Sequence, residues 1–86
     1  MRLPIIKHVL GFIENNDEDW VVETIELLES MTEISSLKDE ELDVMGELLS
    51  NLHGTLEVQQ MIKGGMDKKT AMNTFMKRVV GSIDSE

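Results

Sequence analysis

Apolar residues recur along this chain at steps of three and four, and alternation with a period of two never persists. That pattern predicts helices and no strand. Ile5, Ile6, Val9, Leu10 and Ile13 share one helical face. Pro4 suits a first turn, where its missing N–H would be unpaired anyway, so a helix is expected over 4–15, ended by Asn15-Asn16. Asp17 is placed to cap a second helix over 18–32, with Glu18 and Asp19 where the helix dipole favours negative charge. Val21, Ile25 and Leu28 form its apolar row, which Trp20, Leu27 and Met31 widen.

Ser35-Ser36 reads as linker and cap, and Asp39, three residues after Ser36, completes a variant capping box. The third and longest helix is expected over 37–63. Leu42, Met45, Leu49, Leu52 and Leu56 step along it at heptad spacing, and Val44, Leu48, Val58 and Ile62 make a second row. Two rows imply contact over a wide arc, which places this helix at the centre. Gly64-Gly65 is a strong stop, and Asp67 is the cap of a fourth helix over 68–81. Met72, Phe75, Met76, Val79 and Ile83 line one face of that helix, with Gly81 marking its end. The expected architecture is an all-α bundle of four helices in a single domain, 1–86, around a long third helix.

Size and charge add to this. A chain of 86 residues buries only about 60% of its unfolded surface on folding, so its core is marginal. Association as a homodimer is the expected way to add buried area, because there is no cysteine to staple it. The same absence excludes disulfides, thiolate catalysis and cysteine-based zinc sites. The net charge of −9 opposes a nucleic-acid backbone, so no nucleic-acid partner is expected. No apolar run reaches the roughly 20 residues of a membrane span. Lys7-His8 interrupts any signal-peptide core, and a cytoplasmic location without membrane contact is expected. Charge is also segregated. Residues 14–57 hold fourteen acids and one base, Lys38, whereas residues 58–83 hold five bases and one acid. A basic last helix should therefore lie beside the acidic second and third helices, within one chain or between two.

Several constellations invite chemistry, and each has a plainer account. Gly46, Ser50 and Gly54 form a smooth strip at spacing four on the third helix, with His53 on the same side. Small residues permit close approach of another helix, from a second copy, from a partner or from the chain itself. Ser50, His53 and Glu57 together suggest a hydrolase triad, but three neighbours on one regular helix supply neither an oxyanion hole nor a pocket. A His53–Glu57 surface pair is the simpler expectation.

Asn15, Asp17, Asp19 and Glu26 match positions of a calcium loop, yet its sixth position holds Trp20 and helix begins inside it. No Glu-x-x-His occurs, and neither His8 nor His53 has a second histidine at helical spacing, so no metal or other cofactor is expected. Met61, Met66, Met72 and Met76 gather near the last turn and helix, where a core role outweighs an adaptable binding surface. Gly64-Gly65-Met66-Asp67-Lys68-Lys69-Thr70 echoes a phosphate loop but lacks its first glycine and preceding strand.

The strings Leu3-Pro4-Ile5-Ile6-Lys7-His8, Lys38-Asp39-Glu40-Glu41-Leu42-Asp43-Val44 and Asn73-Thr74-Phe75-Met76-Lys77-Arg78-Val79 resemble a bacterial domain-of-unknown-function family of short, acidic, all-helical proteins. The resemblance covers nearly the whole chain. It implies a self-contained helical unit and transfers no activity and no functional residue.

The sequence thus points to a non-catalytic protein–protein interaction or accessory module, pairing with itself and with another protein. The seam residues would be Gly46, Ser50, His53 and Gly54. The alternative is a small-ligand binder or enzyme whose pocket forms between subunits around His53, with Glu47 and Glu57 at hand. A regulator that touches nucleic acid through the basic last helix is a third reading.

Overall fold

The computed structural model describes residues 2–84, with side chains as far as Val79. It holds four helices: α1 (Leu3–Asn15), α2 (Asp19–Met31), α3 (Asp39–Lys63) and α4 (Lys68–Asp84). No strand occurs among the described residues.

Local chemistry sets the helix ends. Asn15 and Asn16 donate their side-chain N–H groups to the Gly11 and Phe12 carbonyls, at 3.2 and 3.1 Å, which satisfies the open end of α1. Asp17 accepts the Asp19 N–H (3.1 Å) at the start of α2. Asp67 accepts both the Thr70 N–H (3.2 Å) and the Thr70 hydroxyl (2.6 Å) at the start of α4. The α3–α4 turn is a Schellman motif: the Met66 N–H reaches the Met61 carbonyl and the Gly65 N–H the Ile62 carbonyl, each at 3.1 Å. Its αL position is Gly65, at φ 115°.

Two ends differ from expectation. α3 starts at Asp39 after Lys38, and the cap is not Ser36. The Glu41 carboxylate accepts the Lys38 N–H (2.9 Å), so an acid in the first turn does the capping. α4 runs through Gly81 to Asp84, because an interior glycine costs a helix about 1 kcal/mol without ending it. The side chain of Ile83 lies outside the described residues.

α3 is the axis of the bundle, packed by each of the other helices. α2 runs antiparallel to it, as the Glu18–Lys63 pair (2.6 Å) and the Glu29–His53 pair (3.9 Å) show. α1 runs parallel to it: Arg2 meets Asn51, and Leu10 and Glu14 lie by Gln59 and Ile62. α4 returns antiparallel, its Arg78 reaching Glu57.

Two apolar clusters result. Ile6 and Leu10 of α1, Val58 of α3 and Ala71, Met72 and Phe75 of α4 form one. Ile13 of α1 with Val21 and Ile25 of α2 forms the other, against Leu49, Leu52 and Leu56. α1 therefore joins both. Met72 is buried and Met76 packs against the first cluster, as core residues should, whereas Met66 is exposed.

The molecule is thin. It measures 43 × 37 × 18 Å with a radius of gyration of 14.1 Å, whereas a compact domain of this length would be near ~12 Å. Its thickness equals about two helix diameters.

Candidate interaction surfaces

The strip singled out on α3 divides. Gly54 is buried, and it lines a cleft together with Phe75 of α4, itself buried. Gly46 and Ser50 are exposed, and a Cβ built on Gly46 would meet nothing within 4 Å. His53 is exposed as well, and its Nε2 lies 3.9 Å from Glu29 on α2. Glu57 is held by Arg78 on α4. In place of the expected His53–Glu57 pair, Glu57 pairs with Arg78 on α4 and His53 stands beside Glu29 on α2, because α2 and α4 flank α3. At about 100° per residue, Gly46, Ser50 and His53 occupy the side of α3 turned away from Asn51 and Thr55, and hence away from α1.

Segregated charge meets within the chain. Lys63 pairs with Glu18, Lys68 with Glu14 (3.0 Å) and Arg78 with Glu57. The Lys68–Glu14 and Arg78–Glu57 pairs are exposed and each contributes about 0–1 kcal/mol, so they select helix arrangement more than they stabilise it, whereas Glu18 is half-buried under Lys63. Arg78 also lies 5.7 Å from the Phe75 ring centroid.

A buried polar pair on α3 went unread in the sequence. Asn51 and Thr55 are both fully buried. Asn51 Oδ1 accepts the Arg2 N–H, its Nδ2 donates to the Glu47 carbonyl, and the Thr55 hydroxyl donates to the Asn51 carbonyl, each at 2.8 Å. Every one of these groups has a partner, so the pair anchors the chain just before α1 and is not a reactive site. Asn51 and Thr55 fall in the gap of the row Val44, Leu48, Val58, Ile62 at the same steps, and that gap was the signal.

The second unread feature is apolar. Trp20 and Leu27 are 61% exposed and Val44 58%, with Phe12, Met31, Ile34 and Leu48 each more than a third exposed. Trp20, Leu27 and Met31 were expected to widen the core face of α2. They instead form a second face with Thr24, because Val21 and Ile25 alone meet the core cluster. An open cleft of about 240 Å³ lies between α1 and α2, walled by Val9 and Phe12 on one side and Trp20 and Thr24 on the other, with Leu52 also lining it. α2 and α3 are antiparallel, so Trp20–Thr24–Leu27–Met31 and Leu52–Leu48–Val44 lead out of the cleft in the same direction.

Among the described residues, no three acids or histidines converge to hold a metal ion. None of the described helices is long and apolar enough to cross a membrane.

Residues 1–84 match a family of unknown function, DUF6952, and the chain belongs to that family. The resemblance carried by its sequence strings is to a family of this kind. A stretch of 59 residues, 69% of the chain, is 34% identical to a xylulose kinase of Bacillus subtilis (strain 168). The chain spans only 12% of that kinase's length. No solved structure matches the chain.

Proposed function

We propose that this chain is a non-catalytic interaction module of the cytoplasm that works as a homodimer and docks a further protein. The observation that carries the reading is the row of large apolar side chains, Trp20 and Leu27 foremost, left open to solvent on a molecule only 18 Å thick. Exposed apolar surface of this extent, rimmed by polar residues, marks interaction sites. Self-pairing is assigned to the exposed side of α3 at Gly46, Ser50 and His53, with buried Gly54 at its edge. An open glycine there lets a second α3 backbone approach closely.

Light scattering across a concentration series tests this on wild type and Gly46→Leu. Wild type should show close to twice the chain mass of 9.8 kDa. Gly46→Leu should be a folded monomer, since a Cβ built on Gly46 meets nothing within 4 Å. Wild type at one chain mass throughout overturns the homodimer.

The reading of a ligand pocket around His53 has a cleft in its favour, lined by Ser50, His53, Gly54, Glu57 and Phe75. It has less support, since Glu57 is already paired with Arg78 and His53 is open to solvent on a single chain.

A further inference from the structure

We infer that the apolar cleft between α1 and α2 receives a cationic amphipathic helix of another protein. This rests on the interaction-module reading and names the chemistry of its partner. The shape fits one helix: Phe12 and Trp20 stand at the mouth, and the exposed rows continue through Leu27 and Met31 on α2 and Leu48 and Val44 on α3. Trp20 to Met31 rises about 16 Å, or three helical turns, which matches apolar anchors at i, i+3, i+4 and i+7 of a bound helix.

Charge decides the occupant. Glu23 falls beside Trp20 and Leu27 on the α2 wheel, and Glu40 and Glu47 fall beside Val44 on α3. Lys38 is the single cation between residues 14 and 57. A second copy docked face to face would set this acidic rim against itself, because a two-fold interface places the same patch on both sides. A lysine- or arginine-bearing helix meets the rim with opposite charge while its apolar face fills the cleft.

Trp20 is the chain's one tryptophan, so its fluorescence reports the cleft directly. The probe is a synthetic leucine–lysine peptide of about 14 residues with leucines at helical spacing, set against the same peptide with glutamates for lysines. The full chain should bind the cationic peptide at one saturable site with a blue shift of Trp20 emission. Binding should weaken as salt rises, and by about tenfold or more in Leu27→Gln and in Leu48→Gln. Both positions are exposed, so these variants keep the fold, and circular dichroism checks it.

Unchanged Trp20 emission, equal binding of the acidic peptide, or full affinity in the glutamine variants each overturns the proposal. So does wild-type emission that is already blue and shifts red on dilution, which would put a second copy in the cleft. A failed peptide titration with a dimer that Gly46→Leu splits would reject only this partner. A failed titration with a wild type that is always monomeric would reject the interaction reading itself.

Discussion

Asn51 shows what one polar side chain can hold in so small a core. Its oxygen is the acceptor for the Arg2 N–H, so Asn51→Ala leaves that donor without a partner and opens space beneath α1. The expected cost is about 1–3 kcal/mol by urea unfolding. Amide exchange should accelerate at Ile5 and Ile6, whose N–H groups bond to the Arg2 carbonyl. Unchanged exchange there would mean that α1 is anchored by its apolar face alone. Asp67 acts differently. The Thr70 hydroxyl, and then the Thr70 N–H, hold its carboxyl below the ordinary value of 3.8. The folded chain therefore binds this proton less readily than the unfolded one. The stability from the cap is present above the ordinary carboxylate range and lost as pH falls through the lowered value. Asp67→Asn should be less stable than wild type near neutrality, and the two should converge in acid. A constant gap across that range would show that charge plays no part in the cap.

The helices differ in how they are held, and substitutions separate the cases. Leu10 is 2% exposed inside the cluster shared by α1, α3 and α4, whereas Leu27 is 61% exposed. Leu10→Ala should cost about 2–5 kcal/mol, and Leu27→Ala, in the same unfolding assay, within about 0.5. A large loss at Leu27 would place it in a subunit contact and not on an open face. The α3–α4 turn offers a second contrast. Gly65 sits at φ 115°, where a Cβ costs about 1–2 kcal/mol. Gly64 has an ordinary helical backbone, and a Cβ there would lie 3.4 Å from the Gln60 carbonyl. Gly65→Ala should destabilise by about that amount, while Gly64→Ala should be neutral to within ~0.5 kcal/mol.

The shape of the chain follows from three helices laid along one. α2 and α4 flank α3 and α1 packs along one face of it, giving a slab with two different broad sides. One side carries the apolar cleft, and the other carries Gly46, Ser50 and His53. Such a slab can pair through one side and dock a partner on the other. This predicts that Gly46→Leu abolishes self-association while leaving Trp20 emission unchanged. A shift of Trp20 emission in that variant would mean that both functions share one side.

Helix class, number and most of the punctuation were legible without any tertiary information, the start of α3 and the end of α4 excepted, because each depends on residues close in the chain. Steps of three and four mark an apolar face, Asp17 and Asp67 cap the turns that follow them, and Gly64-Gly65 supplies the left-handed stop. The central role of α3 was also legible, since two apolar rows on one helix require neighbours on two sides. Which rows are covered was not. Periodicity defines a face but does not say whether another helix reaches it. Val44 and Leu48 lie in the same row as Val58, yet α1 begins only at the level of Asn51 and leaves them open. The strip on α3 was visible as spacing alone. That Gly54 is buried beside Phe75 of α4 while Gly46 stays exposed depends on where the α3–α4 turn aims the last helix. Asn51 entering the core and Trp20 staying outside it have the same cause: burial is decided by the packing of whole helices, and no local pattern carries that information.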